Sequence, residues 1–184
     1  TLVLGLWLGC GVFMGWVASH NLTSIPETVA HPRREFQAEV QQLGQERVRG
    51  LLRFQAGELN RYYFRWWEIL QIGIGLGLAV ILLFATTGNR LVMTLATGML
   101  AIVVIQFLTI TPQIIELGRG LDFVPPGEIT KERTAFRGYH GFYASLEIIK
   151  LLAGLGLAAR LLYSSPHHRR KRTKPNAVDP IQQD

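Results

Sequence analysis

The feature that most constrains this chain is an apolar segment with ionisable residues inside it. The segment opens as His140-Gly141-Phe142-Tyr143-Ala144-Ser145-Leu146-Glu147-Ile148-Ile149-Lys150 and continues through the apolar stretch Leu151–Ala159. It is long and apolar enough to cross a bilayer as a helix. At 3.6 residues per turn, His140, Tyr143, Glu147 and Lys150 fall at i, i+3, i+7 and i+10 on one stripe, which Gly154 continues. An ionisable group in hydrocarbon costs roughly 2.5–3.5 kcal/mol on insertion scales. Such groups persist where they face a protein interior or a water-filled cavity, so the rest of the chain is expected to bury this stripe.

Three further apolar segments are available for that task. Leu2–Ser19 carries no charge over 18 residues, close to the minimum for a span. It reads as a helix rather than a cleaved signal peptide, because no basic leading region is visible. Its Gly5/Gly9 and Gly11/Gly15 stand at GxxxG spacing, as do Gly73 and Gly77 further on, and that spacing lets helices approach closely. The second span is expected over residues 66–86, the third over 91–111 with Pro112 near its end, and the fourth over 140–163. Between the first two lies a polar connection broken early by Pro26 and Pro32. From Arg33 it turns amphipathic, with Phe36, Val40 and Leu43 at i, i+4 and i+7, followed by Val48, Leu51 and Leu52. This pattern predicts one or two helices over about 33–60 lying on the membrane surface; a hairpin standing off the membrane is the alternative. Arg61-Tyr62-Tyr63-Phe64-Arg65-Trp66-Trp67 is an aromatic and basic anchor at headgroup level. The expected architecture is an all-α integral membrane protein, a four-transmembrane-helix antiparallel bundle over residues 1–163. Residues 164–184 form a basic tail for which disorder is expected.

Four crossings sort the polar residues by membrane face. Let side A hold the N-terminus, the 87–90 turn and the tail. His20, Glu68, Gln71, Gln106, Thr109, Gln113, Glu116, His140 and Glu147 then all lie in the side-B half of the helices. In helix three, Gln106, Thr109, Gln113 and Glu116 repeat the i, i+3, i+7, i+10 spacing. The asymmetry points to a cavity open to side B. Its candidate ligand-binding residues are Glu68, Gln71, Gln106, Thr109, Gln113, Glu116, His140, Tyr143, Glu147 and Lys150. Two blander readings compete. A packed polar network would serve structure alone, with Glu147 and Lys150 neutralising each other as i, i+3 neighbours. Residues near helix ends could simply be solvated among headgroups.

Composition narrows the function classes. The net charge is +6, and much of it is the run Arg169-Arg170-Lys171-Arg172-Thr173-Lys174. Beside a membrane helix, such a run reads as a topology signal and a contact for anionic lipid headgroups, and it places the tail in the cytoplasm. Arg61, Arg65, Arg133 and Arg137 flank the spans on the other side, so the rule is divided and the contiguous run from Arg169 to Lys174, which holds no acid, decides it. No nucleic-acid partner is expected, because no basic, aromatic-interleaved domain accompanies the tail. The single cysteine, Cys10, permits no intramolecular disulfide. There is no Walker loop, CxxC pair, HExxH or nucleophile elbow, so no catalytic residue is assigned and an enzyme is the lesser expectation. No cofactor is predicted. Haem or a metal is a lesser reading in which His20 and His140 come together, with Glu68 or Glu116 supplying an oxygen.

The chain also resembles a known family. The features are a short first helix with Trp7, a polar helix ending in Tyr62-Tyr63-Phe64, Pro112 closing helix three, and the run Phe136-Arg137-Gly138-Tyr139-His140-Gly141 leading into helix four with Ser145 one turn later. These resemble the transmembrane protein 205-like family over about residues 4–163. The resemblance implies four membrane helices and membrane residence, and it implies no reaction. Glu147 and Lys150 fall outside the family's pattern, so nothing the family shares rests on them. Three functions are open at this point. The first is small-ligand binding or transport through the side-B cavity, in a bacterial inner membrane or its equivalent. The second is an accessory or assembly subunit, packing by glycine faces against a membrane partner or a second copy. The third is a haem or quinone redox protein.

Overall fold

The computed structural model describes residues 2–85, 90–125 and 127–163, and all regular structure among them is helical. In order these are α1 (Leu2–Thr23), α2 (Ile25–Ala30), α3 (Arg34–Leu43), α4 (Gln45–Ala85), α5 (Arg90–Ile105), a π-helical turn (Gln106–Ile110), α6 (Thr111–Gly120) and α7 (Lys131–Tyr163). Four helical stretches, Leu2–Ala30, Gln45–Phe84, Arg90–Gly120 and Lys131–Tyr163, are long and apolar enough to cross a membrane. The basic tail and the turn at 86–89 lie outside the described residues.

The long helices pack side by side, α4 against α1 and α5, and α5 against α7. Their shared core holds Leu4 and Trp7 of α1, Trp67, Leu78 and Leu82 of α4, Val92, Ala96, Met99 and Val103 of α5, and Leu157 of α7. Two glycines set the closest approaches. A Cβ at Gly154 would lie 2.5 Å from Leu8 Cδ2 and 3.2 Å from Met99 Cε. A Cβ at Gly75 would lie 2.9 Å from Leu100 Cδ1 and 3.2 Å from Trp7 Cη2. The GxxxG pairs play little part in this packing: Gly5, Gly9, Gly15, Gly73 and Gly77 face open space, and only Gly11 has a neighbour, Trp67 at 3.7 Å.

The stretch expected to be helical over 33–60 falls in two helices, α3 and the first part of α4. It breaks at Gly44, whose φ of 80° is the one positive value among the described residues. Beyond Gly44 the chain runs unbroken through α4 for 41 residues. At 1.5 Å per residue that is about 60 Å, twice the roughly 30 Å of a hydrocarbon core. Residues 45–65 therefore project beyond the apolar half of α4. No proline interrupts residues 33–111 to stop the helix. The amphipathic faces bury one another: Ile25 and Val29 of α2, Val40 of α3, and Val48 and Ala56 of α4 form a second small core, flanked by Phe36 and Leu52.

The other two boundaries also shift. Helix four begins at Lys131 rather than His140, with the Arg133 backbone N–H donating to Thr130 Oγ1 at 3.1 Å. The run Phe136–Gly141 is thus helix interior. Helix three continues to Gly120 through the π-helical turn, where the Thr111 N–H donates to the Gln106 carbonyl five residues back. The turn sits directly before Pro112, whose ring would clash with the preceding turn of a regular α-helix, and the wider turn relieves that clash.

Candidate functional site

A buried polar network joins all four long helices. From α4, Glu68 and Gln71 share one face with Gly75; from α7 come Tyr143, Glu147 and Lys150. Trp7 joins from α1, Gln106 from the π turn and Thr111 from α6. Lys150 Nζ donates to Glu147 Oε1 at 2.7 Å and to Gln71 Oε1 at 2.9 Å. Trp7 Nε1 donates to the same Gln71 oxygen at 2.9 Å. Lysine and indole can only donate, so the Gln71 amide must present its oxygen to them. Gln106 faces the opposite case: its Nε2 donates to Glu147 Oε1 at 3.1 Å and to the Tyr143 carbonyl at 3.4 Å. Thr111 Oγ1 donates to Glu68 Oε1. The Tyr143 hydroxyl lies beside both Glu68 and Glu147 without closing a well-aligned hydrogen bond to either, and the Phe64 ring meets its ring edge-on at 5.8 Å. Glu68 Oε2, Gln71 Nε2, Gln106 Oε1 and Tyr143 Oη are buried without a protein partner. Buried polar atoms of this kind are ordinarily satisfied by water or a ligand.

The structure brings together Glu68, Gln71, Gln106, Tyr143, Glu147 and Lys150 from the residues singled out in the sequence. Four others, Thr109, Gln113, Glu116 and His140, do not join them. Thr109, Gln113 and Glu116 are exposed, and Thr109 Oγ1 donates back to the Ile105 carbonyl of its own helix. The π turn is the reason: its extra residue rotates everything after Gln106 by about 100° relative to a continuous α-helix. Ile110 and Thr111 turn inward in their place. His140 is exposed at the rim and stacks on Phe136 at 5.8 Å. His20 is exposed and stacks on Trp16 at 5.4 Å. No group of three or more His, Cys, Asp or Glu that could hold a metal is found among the described residues.

Two concavities adjoin the network. A cleft of about 530 Å³ opens between α1 and α7. Gly11, Met14, Gly15 and Ala18 form one wall, Tyr143, Ala144, Glu147 and Ile148 the other, and Trp67, Gln71 and Lys150 lie at its inner side. Asn60 holds α1 at the cleft's end, donating to the Ala18 carbonyl at 2.9 Å and accepting from Asn21 at 2.9 Å. The second concavity, about 740 Å³, lies between the projecting half of α4, α6 with the loop after it, and the first turns of α7. There Arg61 donates to both Asp122 oxygens, at 3.1 and 2.8 Å, and to Glu58 at 3.0 Å. The hydrogen bond from Arg61 holds the Glu58 carboxyl below the usual carboxylate range. Phe54 stacks on Phe123 at 5.5 Å, tying α4 to the loop.

Sequence reasoning missed Trp7, Thr111 and the arginines of the second concavity. A buried indole N–H needs an acceptor, which was the available signal for Trp7. Arg49 and Arg53, like Arg133 and Arg137, stand at i, i+4, which was the signal for the arginines. Compared with known protein families, curated proteins and solved structures, the chain matches none.

Proposed function

We propose that this is an integral membrane protein whose four long helices cross the bilayer as an antiparallel bundle, and that it binds a small amphiphilic ligand in the cleft between α1 and α7. The observation that carries the reading is the cleft's composition. Gln71, Tyr143, Glu147 and Lys150 form a polar strip along it, Ser19, Thr23, Asn60 and His140 stand at one end, and the remaining lining is apolar or glycine. A ligand with a polar group and an apolar body fits such a wall, its polar group against Tyr143 and Glu147 and its body along α1. The length and hydropathy of the four long helices support membrane residence. We place the basic tail in the cytoplasm, so that the cleft opens at the outer half of the bilayer and serves ligand handling or transport.

Cysteine accessibility tests this. In a Cys10→Ala background, Ala144→Cys on the cleft wall is expected to react with a water-soluble thiol reagent, and dodecyl alcohol is expected to slow the reaction. Ile149→Cys, exposed on another face of α7, is expected to resist the reagent. Equal rates at the two positions, or no reaction at Ala144→Cys, would count against a cleft open to solvent.

A second reading has one specific observation behind it. The α1 surface holding Gly5 and Gly9 faces open space and carries Leu2, Leu6 and Phe13 exposed around it. Small residues on an outward apolar face favour close packing against another membrane helix, as in an accessory subunit or a homo-oligomer. Gly9→Leu would then change the oligomeric state in detergent and leave thermal stability of the single chain intact.

A further inference from the structure

We propose that the arginine-lined chamber at side B binds a phosphate group, so that the chain's ligand is a phosphate-bearing amphiphile. Five arginines line the chamber, Arg49, Arg53, Arg61, Arg133 and Arg137, against two carboxylates, Glu46 and Asp122. They are not equivalent. Arg61 is fully engaged by Asp122 and Glu58, with Gly57 and Gly118 leaving room for its guanidinium. Arg133 spends its hydrogen bonds on the Val124 and Pro125 carbonyls, which fixes the loop but leaves its charge uncompensated. Arg49 meets only Glu46, at 3.2 Å, and with the Glu46 side chain 91% exposed that pair is worth little. The buried Arg49 Nε has no partner. Arg53 and Arg137 have neither a carboxylate nor a hydrogen-bond partner among the described residues.

Arg53, Arg133 and Arg137 thus bring three uncompensated guanidinium charges to one concavity, one from α4 and two from α7. Like charges gathered around a partly enclosed space repel, and the repulsion is relieved by an anion bound between them. Guanidinium forks match tetrahedral oxyanions, and a phosphate offers more acceptor oxygens and more charge than a carboxylate.

The chamber does not end at its own floor. Leu22, Asn60, Phe64, His140 and Tyr143 line both the chamber and the α1–α7 cleft. A phosphate in the chamber would therefore carry an attached chain past His140 and Tyr143 into the cleft. The chain's placement rests on the ligand reading of the cleft given above; the phosphate site does not. The phosphate itself could come from a lipid headgroup or from a water-soluble phosphate.

The test is calorimetric titration of the full chain in maltoside detergent with inorganic phosphate, dodecyl phosphate and dodecanoate. Dodecyl phosphate is expected to bind most tightly, with affinity falling as salt rises. The double variant Arg53→Gln/Arg137→Gln is expected to bind it about 100-fold more weakly, about tenfold for each lost charge-assisted hydrogen bond. Arg65→Gln, outside the chamber, should bind as the parent does. Should the double variant unfold, Arg53→Lys/Arg137→Lys keeps the charge and loses the fork, and weaker binding by that variant supports the site equally. Unchanged affinity in the folded arginine variants, dodecanoate binding as tightly as dodecyl phosphate, or no binding of either phosphate would overturn the phosphate site. Ala144→Leu fills the cleft and separates the sources. Loss of dodecyl phosphate affinity with inorganic phosphate unaffected supports a lipid. Inorganic phosphate binding as tightly as dodecyl phosphate, both indifferent to Ala144→Leu, supports a soluble phosphate and removes the cleft reading while the chamber stands.

Discussion

Lys150→Met removes one ammonium from the network and keeps a stem of similar shape. Lys150 Nζ holds Glu147 at 2.7 Å and Gln71 at 2.9 Å, and only 4% of its side chain is exposed, against 31% for Glu147. Each acceptor keeps one donor after the change, Gln106 for Glu147 and Trp7 for Gln71. Removing one partner of a buried ion pair costs about 3–5 kcal/mol in soluble proteins. Single hydrogen bonds between membrane helices average about 0.6 kcal/mol. The partial exposure of Glu147 and the two surviving donors pull the cost toward the lower figure, to about 2 kcal/mol. For a chain of this size that corresponds to a midpoint lowered by about 4–8 °C. The assay is thermal unfolding in detergent followed by tryptophan fluorescence, on Lys150→Met, Glu147→Leu and the double variant. Glu147→Leu strands the buried ammonium and is expected to cost at least as much. The double variant strands neither charge and should lose about 2 kcal/mol less than the sum of the two single losses, which leaves it about as stable as the milder single variant. Strictly additive losses would refute the ion pair as the link that holds α7 in place.

Two further substitutions test the packing around the network. Thr111→Val removes the hydroxyl donor to Glu68 and is expected to cost about 1–2 kcal/mol, whereas Thr109→Val, on the exposed side of the π turn, should stay within about 0.5 kcal/mol; thermal midpoints of the two compare them directly. Gly154→Leu drives a side chain into Leu8 and Met99 and is expected to cost about 1–3 kcal/mol, while Gly73→Leu, facing open space, should be tolerated; equal midpoints would contradict the close approach of α1 and α7.

How far the network was legible depends on which helix carries the residue. Glu68, Gln71, Tyr143, Glu147 and Lys150 sit on regular α-helix, where a 3.6-residue period projects the sequence correctly onto a face. Desolvation then decides which way that face turns, because an ammonium such as Lys150 is far more costly in hydrocarbon than beside a carboxylate. Helix three broke the projection at one place. Gln106 opens the widened turn and still faces the network, whereas Thr109, Gln113 and Glu116 lie within or after it and are exposed. Pro112 marked the spot, yet proline reads in a sequence as an end or a kink, and nothing local distinguishes a kink from a widened turn that keeps the helix going to Gly120. The same limit explains α4. Its apolar half is evident from hydropathy, but the length of its projection depends on α2 and α3 burying Val48 and Ala56, and that partnership is tertiary.

The arginine chamber was less legible still, for a physical reason. Charges on the polar face of an amphipathic helix are ordinarily solvated, so Arg49 and Arg53 carry no signal of convergence taken alone. Their meeting with Arg133 and Arg137 requires that α4 continue straight past the apolar half of the chain and that α7 begin nine residues before its apolar half. Both extensions rise on the same side, because α4 enters its apolar half from the end at which α7 enters its own. Two helices that extend past their apolar halves at the same end place their polar turns side by side, and those turns carry basic residues here. The overrun creates the chamber, and the apolar halves below it create the cleft. On α7, His140 and Tyr143 face both because they lie where the helix passes from one regime to the other.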